Sequence, residues 1–402
     1  MSQKLILLTK RFPYFKTEAF LEAEIKILAN AFEEVVIVPA EISQERRQLP
    51  DNVKVNNDFS VYYKDKRKRV LQTFFTKMFW KSLVDNKSQL RQPEDIFLLF
   101  KFVSFATTYM NFFKKNTLLN EDVAIVYSYW FNAAPYAMIK IREGYDKTYK
   151  VVSRAHRYDI YEGISSTPRF WPYRKNILES IDCVFSISEN GKTYIEDKYE
   201  VYNKIKVAKL GVFDRGNISP DTDDDVVSIV SVSRVDPMKR VGLIAESITK
   251  YASKYTHKKI VWTHFGDGRE LPEIKRAIPE LSNLKTNLNG AVPNSQIYSF
   301  YKGTPVSIFM NLSSSEGIPV SIMEAQSFGI PVIATNVGGS GEIVNREIGI
   351  LLPSNPTIQE VVEAIHELLE RNLSKGKVKE VWKNNFNAET NYNKFISELK
   401  TL

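Results

Sequence analysis

Two carboxylates stand out in the run Ser315-Glu316-Gly317-Ile318-Pro319-Val320-Ser321-Ile322-Met323-Glu324, which reads as a polar loop entering a helix. Proline suits a first helical turn and glycine the position just past the last, so Pro319 and Gly329 bracket a predicted helix of about three turns. The loop 315–318 then offers backbone N–H groups at a helix N-terminus, a place for an anion or for sugar hydroxyls. At about 1.5 Å of rise per residue, Glu316 and Glu324 sit roughly 12 Å apart along the axis. An acid/base pair that hydrolyses a glycoside needs roughly 5 to 9.5 Å, so that chemistry is excluded. The spacing suits the two ends of an elongated ligand such as a nucleotide sugar, or else two unrelated surface carboxylates.

A second group is cationic. Val230-Ser231-Val232-Ser233-Arg234-Val235-Asp236-Pro237-Met238-Lys239 puts Arg234 at the end of a buried strand and Lys239 beyond a proline turn. Parallel sheets bind ligands at such strand ends. Two cations there can neutralise a leaving diphosphate without a metal, each charged hydrogen bond contributing about 1.5 to 3 kcal/mol. The plainer reading is a surface ion pair between Arg234 and Asp236.

These groups need elements to hold them. Short β-branched runs alternate with helical stretches at 5–9, 35–39, 124–127, 149–153, 183–188 and 206–210, and again at 226–232, 260–265, 306–311, 331–335 and 349–352. That rhythm predicts parallel strands with helical crossovers. The polar, turn-rich segment 217–225 separates the two series and places a domain boundary there. At 402 residues, 43% hydrophobic and 25% charged, the chain fits two ordinary globular domains rather than disorder or coiled coil.

Several other classes fall away on composition. The single cysteine, Cys183, lies in an apolar run and reads as a small core residue in a reducing compartment. The first ten residues read as a buried strand rather than a signal peptide, so no export is expected. The apolar stretch 96–113 carries Lys101, Ser104, Thr107, Thr108 and Asn111, which makes it a costly membrane span and a better buried or surface helix. Neither the four histidines nor Asp221-Thr222-Asp223 shows convincing metal-ligand spacing, and no metal site or bound cofactor is expected. A formal charge of +8 suits anionic partners of several kinds, but no nucleic-acid motif accompanies it, and nucleic acid is not an expected partner.

Taken together, these motifs resemble family four of the retaining glycosyltransferases. Glu316 to Ala325, followed by Gly329-Ile330-Pro331 and Gly338-Gly339, is similar to that family's donor motif. Ser233-Arg234-Val235 with Lys239 looks like its diphosphate-binding pair, and Phe265-Gly266-Asp267-Gly268 and Asn289-Gly290-Ala291-Val292-Pro293-Asn294 look like its base-binding loops. In the first half, Phe12-Pro13, Thr17-Glu18-Ala19-Phe20 and Glu24-Ile25 resemble a subgroup that builds bacterial capsular, exopolysaccharide or lipopolysaccharide units, though the glycine-rich first loop of many members is missing.

The resemblance implies an α/β fold of the GT-B type, two Rossmann-like domains facing across a cleft. Residues 1–216 would form an acceptor-binding domain and 226–384 a nucleotide-sugar domain, with 385–402 returning as a helix to the first. It implies that Glu316, Gly317, Ile318 and Pro319 hold the donor sugar and Glu324 the ribose. Gly266, Asp267, Gly268, Ala291, Val292 and Pro293 would line the base, uracil as is commonest in the family, while Arg234 and Lys239 would meet the diphosphate. Ser153-Arg154-Ala155-His156-Arg157-Tyr158-Asp159 resembles the strand end that presents a histidine to the reacting sugar; by composition alone His156 would more often be structural. The implied activity is metal-independent retaining transfer from a nucleotide-diphosphate sugar, UDP-linked as is commonest in the family, to a saccharide or polyprenyl-diphosphate-linked saccharide in the cytoplasm. A nucleotide-sugar epimerase of the same fold and a non-enzymatic basic binding protein are the competing readings.

One segment points to a membrane. Lys64-Asp65-Lys66-Arg67-Lys68-Arg69 precedes Leu71, Phe74, Phe75, Met78 and Phe79 at helical spacing. This pattern is that of a basic amphipathic helix on an anionic bilayer, here the inner face of the membrane, or of a helix whose aromatic face packs on its own domain.

Overall fold

The apolar run Lys4–Thr9 is buried along its length and forms strand β1, beside which the chain builds a seven-stranded parallel sheet. Its other members are β2 (Glu34–Pro39), β3 (Val53–Val55), β4 (Val123–Ser128), β5 (Lys150–Ala155), β6 (Cys183–Ser186) and β7 (Ile205–Val207), in the spatial order β3-β2-β1-β4-β5-β6-β7. A second parallel sheet holds β8 (Val226–Val232), β9 (Lys259–Phe265), β10 (Leu284–Leu288), β11 (Ile308–Asn311), β12 (Val332–Thr335) and β13 (Gly349–Leu352), ordered β10-β9-β8-β11-β12-β13. The computed structural model describes residues 4–15, 17–18, 20–119, 122–164 and 167–402; Met1, Ser2, Gln3 and the Ala19 of the Thr17–Phe20 motif lie outside the described residues.

The chain divides into a unit ending at Lys209, which also takes Tyr392–Leu402, and a unit spanning Leu210–Asn391. The sequence reading put the break within 217–225 and the return at 385. That segment instead belongs to the second unit, where Ser219 donates its N–H to the Phe328 carbonyl at 2.8 Å and its Oγ to the Thr304 carbonyl at 3.1 Å. Lys375 Nζ also reaches the Ser219 carbonyl at 3.2 Å.

Each sheet has its own core. The central strands are largely apolar, as buried strands of parallel sheets require. The edge strands β3 and β10 were not foreseen. β3 is three residues long, and β10 reads Leu-Lys-Thr-Asn-Leu with most of its side chains half-buried, so neither carries the continuous apolar signal. Helix Pro93–Lys115 is long and apolar enough to cross a membrane by length and composition, yet Leu99, Phe102, Val103, Ala106, Phe112 and Phe113 are buried in the first unit, where it serves as a core helix.

Within that first unit a buried cation ties the C-terminal residues down. The Arg154 guanidinium is fully buried, pairs with Glu24 at 3.4 Å, donates to the Tyr127 hydroxyl at 3.1 Å and to the Ala208 carbonyl at 3.3 Å. It also lies 4.4 Å from the Phe395 ring centroid. The Glu24 carboxylate beside it holds the guanidinium firmly in its charged form. Glu24 is thus the structural partner of Arg154.

Candidate active site

In the second unit, glycines let loops touch backbone to backbone at the strand ends. A Cβ on Gly266 would fall 1.7 Å from the Ser233 carbonyl oxygen, and one on Gly268 2.1 Å from that of Val235. The two loops are zipped together: Ser233 N–H donates to Phe265 and Val235 N–H to Asp267, at 3.1 and 2.9 Å. In the same way Gly338 meets the Glu316 carbonyl, where a Cβ would lie at 1.9 Å, and Gly339 donates its N–H to Gly317 at 2.8 Å. Gly266, Gly268, Gly338 and Gly339 therefore shape the loops that carry Arg234, Lys239 and Glu316.

The key contact is ionic. Lys239 Nζ lies 2.6 Å from Glu316 Oε1, and the same oxygen accepts from Asn311 Nδ2 at 3.3 Å. The Ser314 N–H donates to the Met238 carbonyl at 2.8 Å, which draws the two loops together. Arg234 behaves differently. Its side chain is 73% exposed and pairs with Asp236 at 3.2 Å, the plainer of the two sequence readings for that residue.

Helix Val320–Ser327 carries Glu324 and, at eight residues, has about two turns rather than the three expected, because Pro319 caps it from outside and Gly329 follows Phe328 with a positive φ of 75°. Glu324 is buried, and its Oε1 accepts from the Tyr298 hydroxyl at 2.6 Å and from Asn294 Nδ2 at 3.2 Å. Burial raises its carboxyl above the ordinary range, opposed by the Tyr298 bond and by the charge of Arg215. Arg215 lies over the Tyr298 ring at 4.8 Å.

Beside the β9 and β10 ends is a cavity of about 580 Å³ lined by Thr263, Phe265, Asn287, Asn289, Val292, Gln296 and Phe300. Val292 from the expected loop is among these; Gly266, Asp267, Gly268, Ala291 and Pro293 are not. Carboxamides beside aromatic faces can read a flat heterocycle by hydrogen bonds and stacking.

In the first unit His156 follows β5 and caps the short helix Arg157–Ile160. It is buried between Tyr129 and Trp130, with ring centroids 4.5 and 5.0 Å away. Burial, reinforced by the Arg154 charge, pushes its pKa down to about 3, so the imidazole is neutral at physiological pH. Nε2 has no hydrogen-bond partner among the described residues, a costly state for a buried nitrogen and one a ligand would relieve. Asp159 receives the Phe131 N–H at 2.7 Å, and burial lifts its carboxyl to about 7. A cavity of about 400 Å³ lies alongside, walled by Phe102, Phe105, Tyr109, Trp130 and Trp171 with Lys10 and Lys101 as its charged members.

Residues 217–387 match the family described as glycosyl transferases group 1. That run is a glycosyl transferases group 1 domain. It contains Arg234, Lys239, Glu316, Glu324 and the cavity at Val292. Across the whole chain the fold is that of lipopolysaccharide outer core galactosyltransferase WaaB, with a TM-score of 0.71 at 14% identity and 100% of both chains covered. Anabaena HepE in complex with UDP gives 0.65 at 14% identity, again over 100% of each. Both have the two-sheet GT-B architecture.

Among curated sequences, the GtfA subunit of a Streptococcus gordonii UDP-N-acetylglucosamine–peptide N-acetylglucosaminyltransferase is 24% identical over 233 residues, 56% of this chain and 44% of that one. Amylovoran biosynthesis glycosyltransferase AmsD of Erwinia amylovora is 24% identical over 276 residues, 66% of this chain and 71% of its own. The chain thus spans less than half the length of the Streptococcus relative. In the second unit, sequence reasoning missed Tyr298, read Asn294 only as the end of a base-binding loop and not as a partner of Glu324, and missed Arg215 and Gln296. The first two lie one turn apart on helix Asn294–Gly303, a spacing of four that places them on one face, and this was the available signal.

Proposed function

We propose that the chain is a retaining, metal-independent glycosyltransferase that moves a sugar from a UDP-linked donor to a saccharide or polyprenyl-diphosphate-linked saccharide during bacterial surface polysaccharide synthesis. The observation that carries this reading is the Lys239–Glu316 pair, held by glycine-packed loops at parallel strand ends in the same domain as the buried Glu324. Glu316 and the 317–319 backbone would hold sugar hydroxyls, Glu324 the ribose, and Lys239 with the exposed Arg234 the departing diphosphate. The cavity at Val292 would take the base, and the free Nε2 of the neutral His156 would orient the transferred sugar. Catalysis is then electrostatic and positional, with leaving-group charge met by fixed cations. Attack on the face from which the diphosphate departs gives retention.

Support for the donor class comes from the UDP held by HepE and the UDP-sugar named for GtfA, and for the pathway class from AmsD. The basic and apolar helices at 66–85 favour work in the cytoplasm at the inner membrane surface. Product analysis tests the reading: transfer of sugar from a UDP donor to extracted lipid-linked acceptors, with the anomeric configuration kept, supports it. Isomerised UDP-sugar formed without any acceptor would show an epimerase instead.

A further inference from the structure

The loop after β1 holds three consecutive backbone N–H groups that converge on one point. Lys10 N–H donates to Glu18 Oε1 at 3.1 Å, while Arg11 and Phe12 N–H donate to Glu18 Oε2 at 2.7 and 2.6 Å. The Trp130 indole N–H donates to Oε1 at 2.6 Å. Successive N–H groups of this kind form an anion-binding nest, and strand ends of parallel sheets are where ligands are usually taken. A carboxylate offers about four lone-pair sites, so these four donors fill Glu18. Glu18 adopts a left-handed backbone with φ of 55°, as does Phe15 at 58°, a conformation uncommon outside glycine that persists only where surroundings enforce it.

We propose that Glu18 is a positioning residue: its carboxylate supplies the anion for the β1 nest from within the chain and thereby fixes Trp130 against His156. The nest is consequently closed to an external phosphate. Lys10 and Trp130 both line the 400 Å³ cavity, so the same carboxylate sets part of its wall. Trp130 in turn holds the His156 ring at 5.0 Å. The significance for transfer rests on the proposed role of His156; the arrangement of Glu18 itself does not.

The test compares wild type, Glu18→Ala and Glu18→Gln, each with and without Trp130→Phe, so that difference spectra isolate the Trp130 emission. Glutamine keeps one acceptor oxygen but turns an NH₂ toward two N–H donors, so both variants should shift Trp130 emission to the red. Added sodium formate, the smallest carboxylate, should return the Glu18→Ala emission toward wild type and raise its thermal midpoint, whereas sodium chloride at equal ionic strength should do neither. Wild type should not respond to formate. UDP protection, which reports the group 1 domain, should keep its midpoint concentration within about twofold in every variant. Unmoved Trp130 emission in Glu18→Gln, or a Glu18→Ala response to formate no larger than to chloride, overturns the inference. Should Glu18→Ala not fold, the Glu18→Gln emission decides alone. Absence of UDP protection in wild type would count against the proposed function and leave the formate result standing.

Discussion

The ammonium of Lys239 is 2.6 Å from the Glu316 carboxylate, and both side chains are largely shielded from water. In this state each neutralises the other. A donor whose hydroxyls engage Glu316 and whose phosphates engage Lys239 would exchange one ionic contact for several.

Lys239→Ala should reduce turnover about a hundredfold, equivalent to roughly 2.7 kcal/mol, because leaving-group charge grows toward the transition state. It also leaves Glu316 with only Asn311 as a donor among its described contacts, a loss of about 1–3 kcal/mol in stability. The double change Lys239→Met with Glu316→Gln should recover much of that stability and none of the turnover. Steady-state rates within threefold of wild type for Lys239→Ala would remove this residue from the site.

Glu324→Gln should mainly weaken donor binding, since a ribose contact remote from the breaking bond is made equally in ground and transition states. Glu316→Gln should mainly lower turnover. Measured kcat and KM with the two effects exchanged would reverse the assignment of sugar and ribose ends.

The sequence made the second sheet and its ionic residues legible because glycine and proline punctuate that half and the charged side chains sit at strand ends. It could not show that Lys239 meets Glu316 rather than standing with Arg234, since the contact joins loops 77 positions apart. The pairing of Glu24 with Arg154 was equally hidden; both carry ordinary charged letters, and only burial reveals that they act on each other. Glu18 was visible as part of a motif, but its donors join the neighbouring loop at Lys10, Arg11 and Phe12 to Trp130, 112 positions away.

His156 should stay neutral through the physiological range. Its folded pKa of about 3 is depressed below the ordinary value of about 6.5, so the unfolded chain binds more protons between those limits. The stability it confers is present above about pH 6.5 and is lost as pH falls toward 3. Asp159, raised to about 7, acts in the opposite sense: its share is present below its unfolded value and lost as pH rises through 7. His156→Asn should therefore lose less stability than wild type between pH 7 and 5, as read by urea unfolding. An equal loss, or a ring ¹⁵N spectrum showing imidazolium above pH 5.5, contradicts the assignment.

Wild-type protein should sediment with anionic vesicles at low salt. Lys66, Arg67 and Lys68 are exposed, as are Leu71, Phe74, Phe75 and Trp80, with Phe75 at 78%. Three residues of the sequence pattern are turned inward instead: Phe79 is buried, Met78 packs half-buried against the core, and the Arg69 guanidinium covers the rings of Tyr63 and Phe105 at 4.7 and 5.0 Å. Neutralising Lys66, Arg67 and Lys68 should weaken binding by about 1 kcal/mol each, and Arg69→Gln should matter little to it. No sedimentation of wild type would assign these helices to the fold alone.

The most direct measurement is thermal unfolding in EDTA with UDP, GDP and ADP sugars. A UDP sugar at about 100 times its dissociation constant should add about 2.7 kcal/mol of stability to the group 1 domain, and Glu324→Gln should reduce that protection at equal ligand concentration. Protection by none of these donors, or protection that requires added manganese, would contradict a metal-independent nucleotide-sugar site at Lys239, Glu316 and Glu324.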